Sequence, residues 1–419
     1  MIEELKNIPS KFPLEQFDVA LFAKDKIREL FRQGKVPTAE AMVDEILLRA
    51  LKEGATDVHF EPAESELRIR LGFEGIMKRM VSLPKDISDN LANVLKTKGS
   101  LNAFEKKKPQ EGRFSITLGS IQFDLRISTV PVLHGERIAL RILQKNARVA
   151  NVEELGFSPE NLKRVRSLLS RPTGLFLVTG PSGSGKSTTV YAMVNDIQTT
   201  EKNIITVENP VEYKLDFSSQ VPTGIDKSFT FVDALRAILR QNPDIIMLGE
   251  IRDAETGIVA AEAALTGNLV LSTMLSSDAI GTVFRLINLG IPPYWLATTL
   301  IGVVYQQLVR KICESCKEEY ELTEAERHGM FVHMLSGQKK FFRGKGCEAC
   351  GGSGYLGRTA VHEVLTVNDE MRDLMYQQAS ILRLKEAARA GGFESIFQDG
   401  VRKISEGVTT VKEFSRALG

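Results

Sequence analysis

The stretch GPSGSGKS, residues 180–187, determines how the rest of the sequence is interpreted. It fits the pattern G-x-x-x-x-G-K-[ST], in which a glycine-rich turn directs backbone N–H groups at phosphate oxygens. An apolar run at 175–179 precedes the turn, and a helical pattern begins near Ser187. Because a helix N-terminus favours anions, this strand–turn–helix order predicts a nucleotide site.

The same pattern assigns roles to individual residues. Lys186 is predicted to contact the β- and γ-phosphates of ATP, and Ser187 is predicted to hold Mg²⁺. The candidate ATP-binding residues are Gly180, Pro181, Ser182, Gly183, Ser184, Gly185, Lys186, Ser187 and Thr188. A phosphate loop alone does not establish hydrolysis, because a carboxylate must also meet the metal and orient water.

Two glutamates are candidates for that carboxylate. Glu250 follows the apolar run 245–248, and Glu208 follows the run 204–207. In α/β folds, ligands bind where parallel strands end. We therefore predict Glu250 as the first candidate for activating water and Glu208 as the second. An ordinary charge at a strand end is the alternative interpretation of each.

The runs around the loop predict the fold class. Short apolar runs at 175–178, 204–207, 245–248 and 269–271 alternate with helical segments. Continuous apolar strands separated by helices indicate a parallel sheet covered on both faces, which is an α/β fold. We assign this domain to residues 154–419 and expect its last part, from about 365, to be mainly helical.

A smaller domain with a different hydrophobic pattern precedes it. Residues 39–53 carry a helical apolar stripe, residues 87–101 form a second helical segment, and several runs between 67 and 142 alternate with period two. These patterns predict an α+β domain at 39–143. The polar residues 144–153 are interpreted as a linker, and residues 1–38 as a short N-terminal segment.

All four cysteines lie in two C-x-x-C pairs. The pairs are Cys313 with Cys316, and Cys347 with Cys350. Two such pairs can complete a tetrahedral zinc site, which would be closed and therefore structural. A redox C-x-x-C is the competing interpretation, but it suits a single pair. Residues 313–350 are thus a predicted zinc module, with a helical excursion at 323–335.

Composition excludes several classes of protein. The 419 residues are 43% hydrophobic and 26% charged, as in an ordinary globular protein, and the net charge is +1. No nucleic-acid partner is predicted, since the basic run 106–108 is short and is interpreted as a solvated turn. Residues 286–309 carry no formal charge and are long enough to span a bilayer, yet proline and polar residues interrupt the stretch. We interpret it as two buried helices joined at Pro292–Pro293.

Taken together, the motifs resemble those of the secretion ATPases of type II secretion and type IV pilus assembly. The resemblance runs from about residue 39 to the C-terminus. Its segments are ATDVHFEP (55–62), PQEGR (109–113), DLRISTVP (124–131), the phosphate loop, an Asp-box segment (205–213), LRAILRQNPD (235–244), GEIRD (249–253), the cysteine pairs and GYLGR (354–358).

The resemblance implies properties that the residues alone do not. It implies a hexamer whose RecA-like ATPase domain follows a PAS-like domain. It also implies that Arg126 and Arg141 are catalytic arginines that reach nucleotide across the gap between domains. An arginine at a transition-state phosphate can contribute about 10³–10⁵ in rate. By pattern alone, an arginine on an alternating strand is usually only a solvated side chain.

The cysteine pairs are typical of assembly and export members of this family. The predicted function is therefore a hexameric motor that hydrolyses ATP to power type IV pilus assembly or type II secretion. The resemblance implies a cytoplasmic location, peripheral to the inner membrane, and docking on a polytopic platform protein. Residues 1–38 are too short for the first N-terminal domain of many members, so recruitment through that domain is not expected.

Some positions depart from the family pattern. Asn268 and Leu275 stand where the family's His box has histidines, and Asn209 and Asn242 replace aspartates. We expect that Asn268 can still donate a hydrogen bond to phosphate and that Leu275 cannot. These departures support an alternative function, a nucleotide-binding structural subunit with weak or no hydrolysis that co-assembles with an active paralogue.

Overall fold

A computed structural model describes residues 14, 18, 33, 36–144, 149–224, 228–327, 332–335 and 340–418. Most of the predicted N-terminal segment 1–38 and part of the predicted linker lie outside these residues. The chain divides into two compact units, Met1–Ala147 and Arg148–Gly419. Within the described ranges, no helix is both long and apolar enough to cross a bilayer.

The first unit contains a six-stranded antiparallel sheet, and two helices accompany it within residues 36–144. The strands are β1 (Asp57–Pro62), β2 (Glu66–Phe73), β3 (Ile76–Pro84), β4 (Gln110–Leu118), β5 (Ile121–Val132) and β6 (Gly135–Gln144), in the order β3-β2-β1-β6-β5-β4. The helices are α1 (Ala39–Lys52), capped by the Thr38 hydroxyl, and α2 (Ser88–Lys98). Period-two alternation places one face of β5 in the core and leaves the other partly exposed.

The second unit is built on a seven-stranded sheet. Its strands are β7 (Gly174–Thr179), β8 (Ile204–Glu208), β9 (Ser219–Pro222), β10 (Ile245–Leu248), β11 (Leu269–Met274), β12 (Leu300–Ile312) and β15 (Tyr355–Thr366). The order is β15-β12-β7-β11-β10-β8-β9, and only β15 runs antiparallel to its neighbour. The predicted α/β class is confirmed.

Helices cover this sheet and follow it. They are α3 (Pro159–Leu169), α4 (Lys186–Ile197), α5 (Phe231–Ile238), α6 (Ala254–Leu265), α7 (Ala279–Leu289), α8 (Pro293–Thr299), α9 (Glu324–Arg327), α10 (Asp369–Tyr376), α11 (Ile381–Ala390), α12 (Ile396–Ser405) and α13 (Val411–Leu418). The four helices after β15 confirm the predicted helical C-terminal part. Buried side chains of β7, β8, β10 and β11 are fully apolar except near their carboxyl ends, as strands covered on both faces require.

The interpretation of residues 286–309 as two helices is wrong in its second half. After α7 and α8, the chain enters β12, which pairs with β7 on one side and β15 on the other. Ile301, Val303, Val304 and Val309 are β-branched, and such side chains favour a strand where a neighbouring backbone offers hydrogen bonds.

The stretch between the cysteine pairs forms a small hairpin-like sheet. Its strands are β13 (Lys317–Tyr320) and β14 (Phe341–Gly344), which pair antiparallel. Of the predicted helical excursion at 323–335, the structure describes α9 and a 3₁₀ turn, Val332–Leu335. Residues 328–331 of that excursion lie outside the described ranges.

Candidate nucleotide site and cysteine cluster

The phosphate loop joins β7 to α4. Gly185 caps α4 in the left-handed conformation, with φ of +86°, so the helix begins at Lys186. Gly180 has φ of +149°, and a Cβ at this position would overlap the backbone oxygen of Gln306. Both glycines are therefore required by backbone geometry, which brings the loop against β12 and leaves its other side open.

Lys186 lies inside this loop. Its Nζ donates to the carbonyl oxygens of Gly180, at 3.1 Å, and Pro181, at 2.8 Å. Burial lowers the pKa of Lys186, and the nearby Glu250 carboxylate opposes that shift. The loop cation and the predicted catalytic carboxylate are therefore close enough to interact, and Ser187 beside them is exposed.

Glu250 follows β10 at the carboxyl edge of the sheet. Because β7, β11 and β10 are parallel neighbours, this is the edge at which the phosphate loop also lies. The Glu250 side chain is 35% exposed and forms an ion pair with Arg252. A carboxylate that water can reach, next to a phosphate loop, has the placement that water activation requires.

Glu208 has a different environment. It is 2% exposed and accepts hydrogen bonds from Tyr191, from Thr206 at 2.6 Å and from Gln220 at 3.1 Å. Burial and the Glu208 carboxylate together raise the pKa of Tyr191, which keeps this phenol protonated as a donor. Glu208 thus links β8 to α4 and β9, and its oxygens are occupied by protein donors.

The candidate arginines of the first unit are aligned. Arg126 on β5 stands directly opposite Arg141 on β6, and also directly opposite Arg113 on β4. Arg141 Nε lies 3.1 Å from an Asp57 carboxylate oxygen. Like charges directly opposite on neighbouring strands repel each other, and Asp57 offsets part of that repulsion at Arg141.

Arg113 is a further candidate residue that sequence reasoning missed. It lies in a recognised motif, PQEGR, on a strand with a period-two pattern, but only the register of β4 against β5 aligns it with Arg126. The sequence did show that Arg113 occupies one of the alternate positions that face solvent on that strand. Such alternation alone does not identify which residue of the neighbouring strand stands opposite.

The expectation that Asn268 can donate to phosphate is wrong. Asn268 precedes β11, at the amino edge of the sheet, and its Nδ2 donates to the carbonyl of Pro243. The six residues of β11 separate it from the phosphate-loop edge by about 20 Å. Leu275 follows β11 at the correct edge, between β7 and β10, and is 44% exposed.

The four cysteines form one cluster. Their sulfur atoms all lie within 4.8 Å of one another, and none is in a disulfide. Sulfur–sulfur distances are 3.8 Å for Cys313 and Cys347, 3.9 Å for Cys316 and Cys350, and 3.8 Å for Cys347 and Cys350. A tetrahedral zinc with Zn–S bonds of about 2.3 Å requires sulfur–sulfur edges of about 3.8 Å. The residues therefore fit a four-thiolate zinc site.

Backbone groups also suit thiolate chemistry in this cluster. The N–H groups of Cys347 and Gly354 each donate to the Cys350 sulfur at 3.2 Å. Burial alone would raise the pKa of Cys350, but these donors and the neighbouring thiols bring it down to about 6. The cluster is thus arranged to hold at least one ionised sulfur at neutral pH.

The fold and the loop define a P-loop nucleotide-binding protein, and comparisons with known proteins specify the family. The family described as "Type II/IV secretion system protein" matches residues 32–416. The chain belongs to this family, which confirms the resemblance that the motifs predicted.

Relatives with assigned names agree with this membership. The chain is 40% identical over 410 residues to the type IV pilus assembly ATPase PilB of Thermus thermophilus, covering 97% of this chain and 44% of that protein. It is 40% identical over 375 residues to the type II secretion system ATPase E of Vibrio cholerae, covering 90% and 74%. It thus spans less than half of the Thermus relative and about three quarters of the Vibrio one.

Solved structures show the same fold. The pilus retraction motor PilT with bound ADP superposes with a TM-score of 0.58 at 25% identity, covering 88% of this chain and 94% of PilT. The ATPase DotB of Legionella pneumophila superposes with a TM-score of 0.65 at 19% identity, covering 90% and 95%. The likeness to DotB concerns the fold alone.

Proposed function

We propose that this chain is an ATP-hydrolysing motor that assembles as a hexamer and powers type IV pilus assembly or type II secretion. One observation carries the proposal: Lys186 in the loop after β7 and Glu250 after β10 lie at the same carboxyl edge of the parallel sheet. The loop supplies a binding site for phosphates. Glu250 supplies a carboxylate, which hydrolysis needs and nucleotide binding alone does not.

In the proposed reaction, water attacks the γ-phosphorus of ATP and the bond to the β-phosphate oxygen breaks, releasing ADP and phosphate. The backbone N–H groups of the loop and Lys186 bind the phosphates. Glu250 orients the water and accepts its proton, while Arg252 holds the carboxylate in place. A Mg²⁺ ion held by Ser187 would neutralise charge on the phosphates, and the hydroxyl donor suits that ion.

The row formed by Arg113, Arg126 and Arg141 is proposed to stabilise the transition-state charge on a nucleotide. The strand register places the three side chains in one row across the sheet, where a bound anion could meet more than one of them. The family resemblance supports this role for Arg126 and Arg141, and the register extends it to Arg113.

Replacing Arg113 or Arg126 by alanine is expected to reduce ATP turnover by about 10- to 1,000-fold, since lost arginine contacts to a transition-state phosphate are costly. Both variants should remain folded, because neither side chain is buried in the core. Phosphate release and thermal melting of the two variants would measure this. Gln122→Ala on the same strand is the control, and equal turnover in all three proteins would remove the arginines from the mechanism.

The proposed partners and location rest on the family rather than on contacts within the chain. The proposed partners are five further copies of this chain, which complete a homo-hexamer, and a platform protein of the pilus or secretion machine in the inner membrane. The proposed location is the cytoplasmic face of that membrane. No nucleic-acid partner is proposed. The zinc ion is proposed as a structural ligand of Cys313, Cys316, Cys347 and Cys350, supported by their tetrahedral sulfur distances.

The proposal is tested by measuring mass and turnover of the purified chain. Light scattering with Mg-ATP should detect a hexamer, and phosphate release should increase when the cytoplasmic part of a platform protein is added. A hexamer that never releases phosphate would instead support the alternative, a nucleotide-binding structural subunit. Leu275 favours that alternative, because it places an apolar side chain between the loop strand and the Glu250 strand.

A further inference from the structure

Gln306 lies beneath the phosphate loop, in the middle of β12. Its side chain is 1% exposed, and its Nε2 donates to the backbone carbonyl of Ser184 at 2.6 Å. Its own backbone oxygen lies where a side chain at Gly180 would have to sit. One residue therefore contacts the loop at both its first and its fifth position.

The loop has few other supports. Its remaining hydrogen bonds among the described residues are internal: Ser184 N–H donates to Pro181, Lys186 donates to Gly180 and Pro181, and Thr189 N–H of α4 donates to Gly185. Among the described residues, the Gln306 amide is thus the only side chain from outside the loop that hydrogen-bonds to the backbone of the loop.

Packing does not explain an amide at this position. Gln306 Oε1 and the Ser184 hydroxyl are both buried and, among the described residues, lack hydrogen-bond partners. A buried polar atom without a partner lowers stability. A leucine or methionine would fill similar space without that cost. The amide therefore has a role other than packing, and its hydrogen bond to the Ser184 carbonyl indicates that role.

The strand that carries Gln306 is rigidly held. The residues just before it pair with β7, Val304 with Val178 and Tyr305 with Thr179, and Gln306 itself stands opposite His362 on β15. Gln306 is paired with β15 and directly follows the residues that pair with β7, so its backbone position is fixed. Its hydrogen bond therefore constrains the more adaptable loop rather than the reverse.

The bond to Ser184 also orients a donor. The Ser184 carbonyl and the Gly185 N–H belong to the same peptide unit, which is planar and trans, so the two groups point in opposite directions. With the carbonyl directed at Gln306, the Gly185 N–H is directed away from β12. That direction is the open side of the loop, where an anion would be bound.

We propose that Gln306 is a positioning residue for nucleotide binding: by holding the Ser184 carbonyl it sets the Gly185 N–H, and with it the loop, in the orientation that accepts phosphate oxygens. The inference rests on the proposed function, because it assumes that ATP binds at residues 180–188. It adds a residue that lies far along the chain from the phosphate-loop motif.

The test compares Gln306→Leu with Gln307→Leu. Gln307 is the next residue on β12, is half-buried, and accepts a hydrogen bond from the Tyr305 hydroxyl at 3.2 Å. For Gln306→Leu we expect the Kd for a fluorescent ATP analogue and the KM for Mg-ATP to rise about 3- to 10-fold, the effect of one hydrogen bond. We expect kcat to stay within about twofold, since binding is lost equally in ground and transition states. Gln307→Leu should leave Kd and KM unchanged.

Melting in the absence of nucleotide separates positioning from a purely structural role. If Gln306→Leu lowers Tm but leaves the Kd and KM of the folded protein unchanged, the inference is overturned. Gln306→Met is the second variant, because its unbranched side chain adapts to the same space should the leucine variant fail to fold. If wild-type protein does not bind the analogue, the proposed function fails instead, whereas tight wild-type binding with no change in either variant defeats this inference alone.

Discussion

Replacing Glu250 by glutamine is expected to reduce steady-state phosphate release by about 10²- to 10⁴-fold, the usual contribution of a general base. Glutamine keeps the size of the side chain but cannot accept the proton of the attacking water. ATP affinity should stay equal or increase, because a negative charge near the phosphates is removed. Phosphate release and binding of a fluorescent ATP analogue, measured on the same samples, separate the two effects.

The control for this prediction is Glu262→Gln on the exposed side of α6. It should change neither binding nor turnover. Unchanged turnover in Glu250→Gln would exclude Glu250 as the base. Wild-type protein that binds ATP but releases phosphate no faster than Glu250→Gln would favour the structural-subunit alternative over the motor.

Removing two of the four cysteines is expected to have the largest effect on stability. Wild-type protein should contain about one zinc ion per chain, and the double variant Cys347→Ser with Cys350→Ser should contain none. A structural zinc site of this kind contributes of order 10 kcal/mol of binding free energy to folding. The stretch 313–350 should then become sensitive to protease, and Tm should fall.

Metal analysis, limited proteolysis and thermal melting measure these outcomes. Ser315→Ala is the matched control, because Ser315 lies between the first two cysteines and is exposed. It should retain zinc and protease resistance. A wild-type protein purified without chelators that holds no zinc would refute the four-thiolate site.

The phosphate site was largely predictable from sequence, because its parts are local. The loop motif, the strand before it and the helix after it are contiguous, so their geometry follows from a short segment. Glu250 was also predictable, since the carboxyl ends of parallel strands share one edge of a sheet. Glu208 follows the same rule, yet its burial depends on Tyr191 and Gln220, which no local pattern connects to it.

Features that depend on register or strand direction were not predictable. Arg113 joins Arg126 only through the pairing of β4 with β5. Asn268 was misplaced because a motif read along the chain does not show that its first and last residues lie at opposite edges of the sheet. Residues 300–309 were expected to be helical because they belong to a long apolar run, whereas pairing with β7 and β15 favours a strand.

The strand β12 joins the phosphate loop to the cysteine cluster. Gln306 at its middle touches the phosphate loop, Arg310 further along binds Glu413 at 2.6 Å, and the strand ends at Ile312, immediately before Cys313. Seven residues of extended chain, about 23 Å, thus connect the nucleotide site to the cysteine cluster. Because β15 pairs with β12 along this length, the contact with the phosphate loop and the first cysteine are attached to the same paired strand.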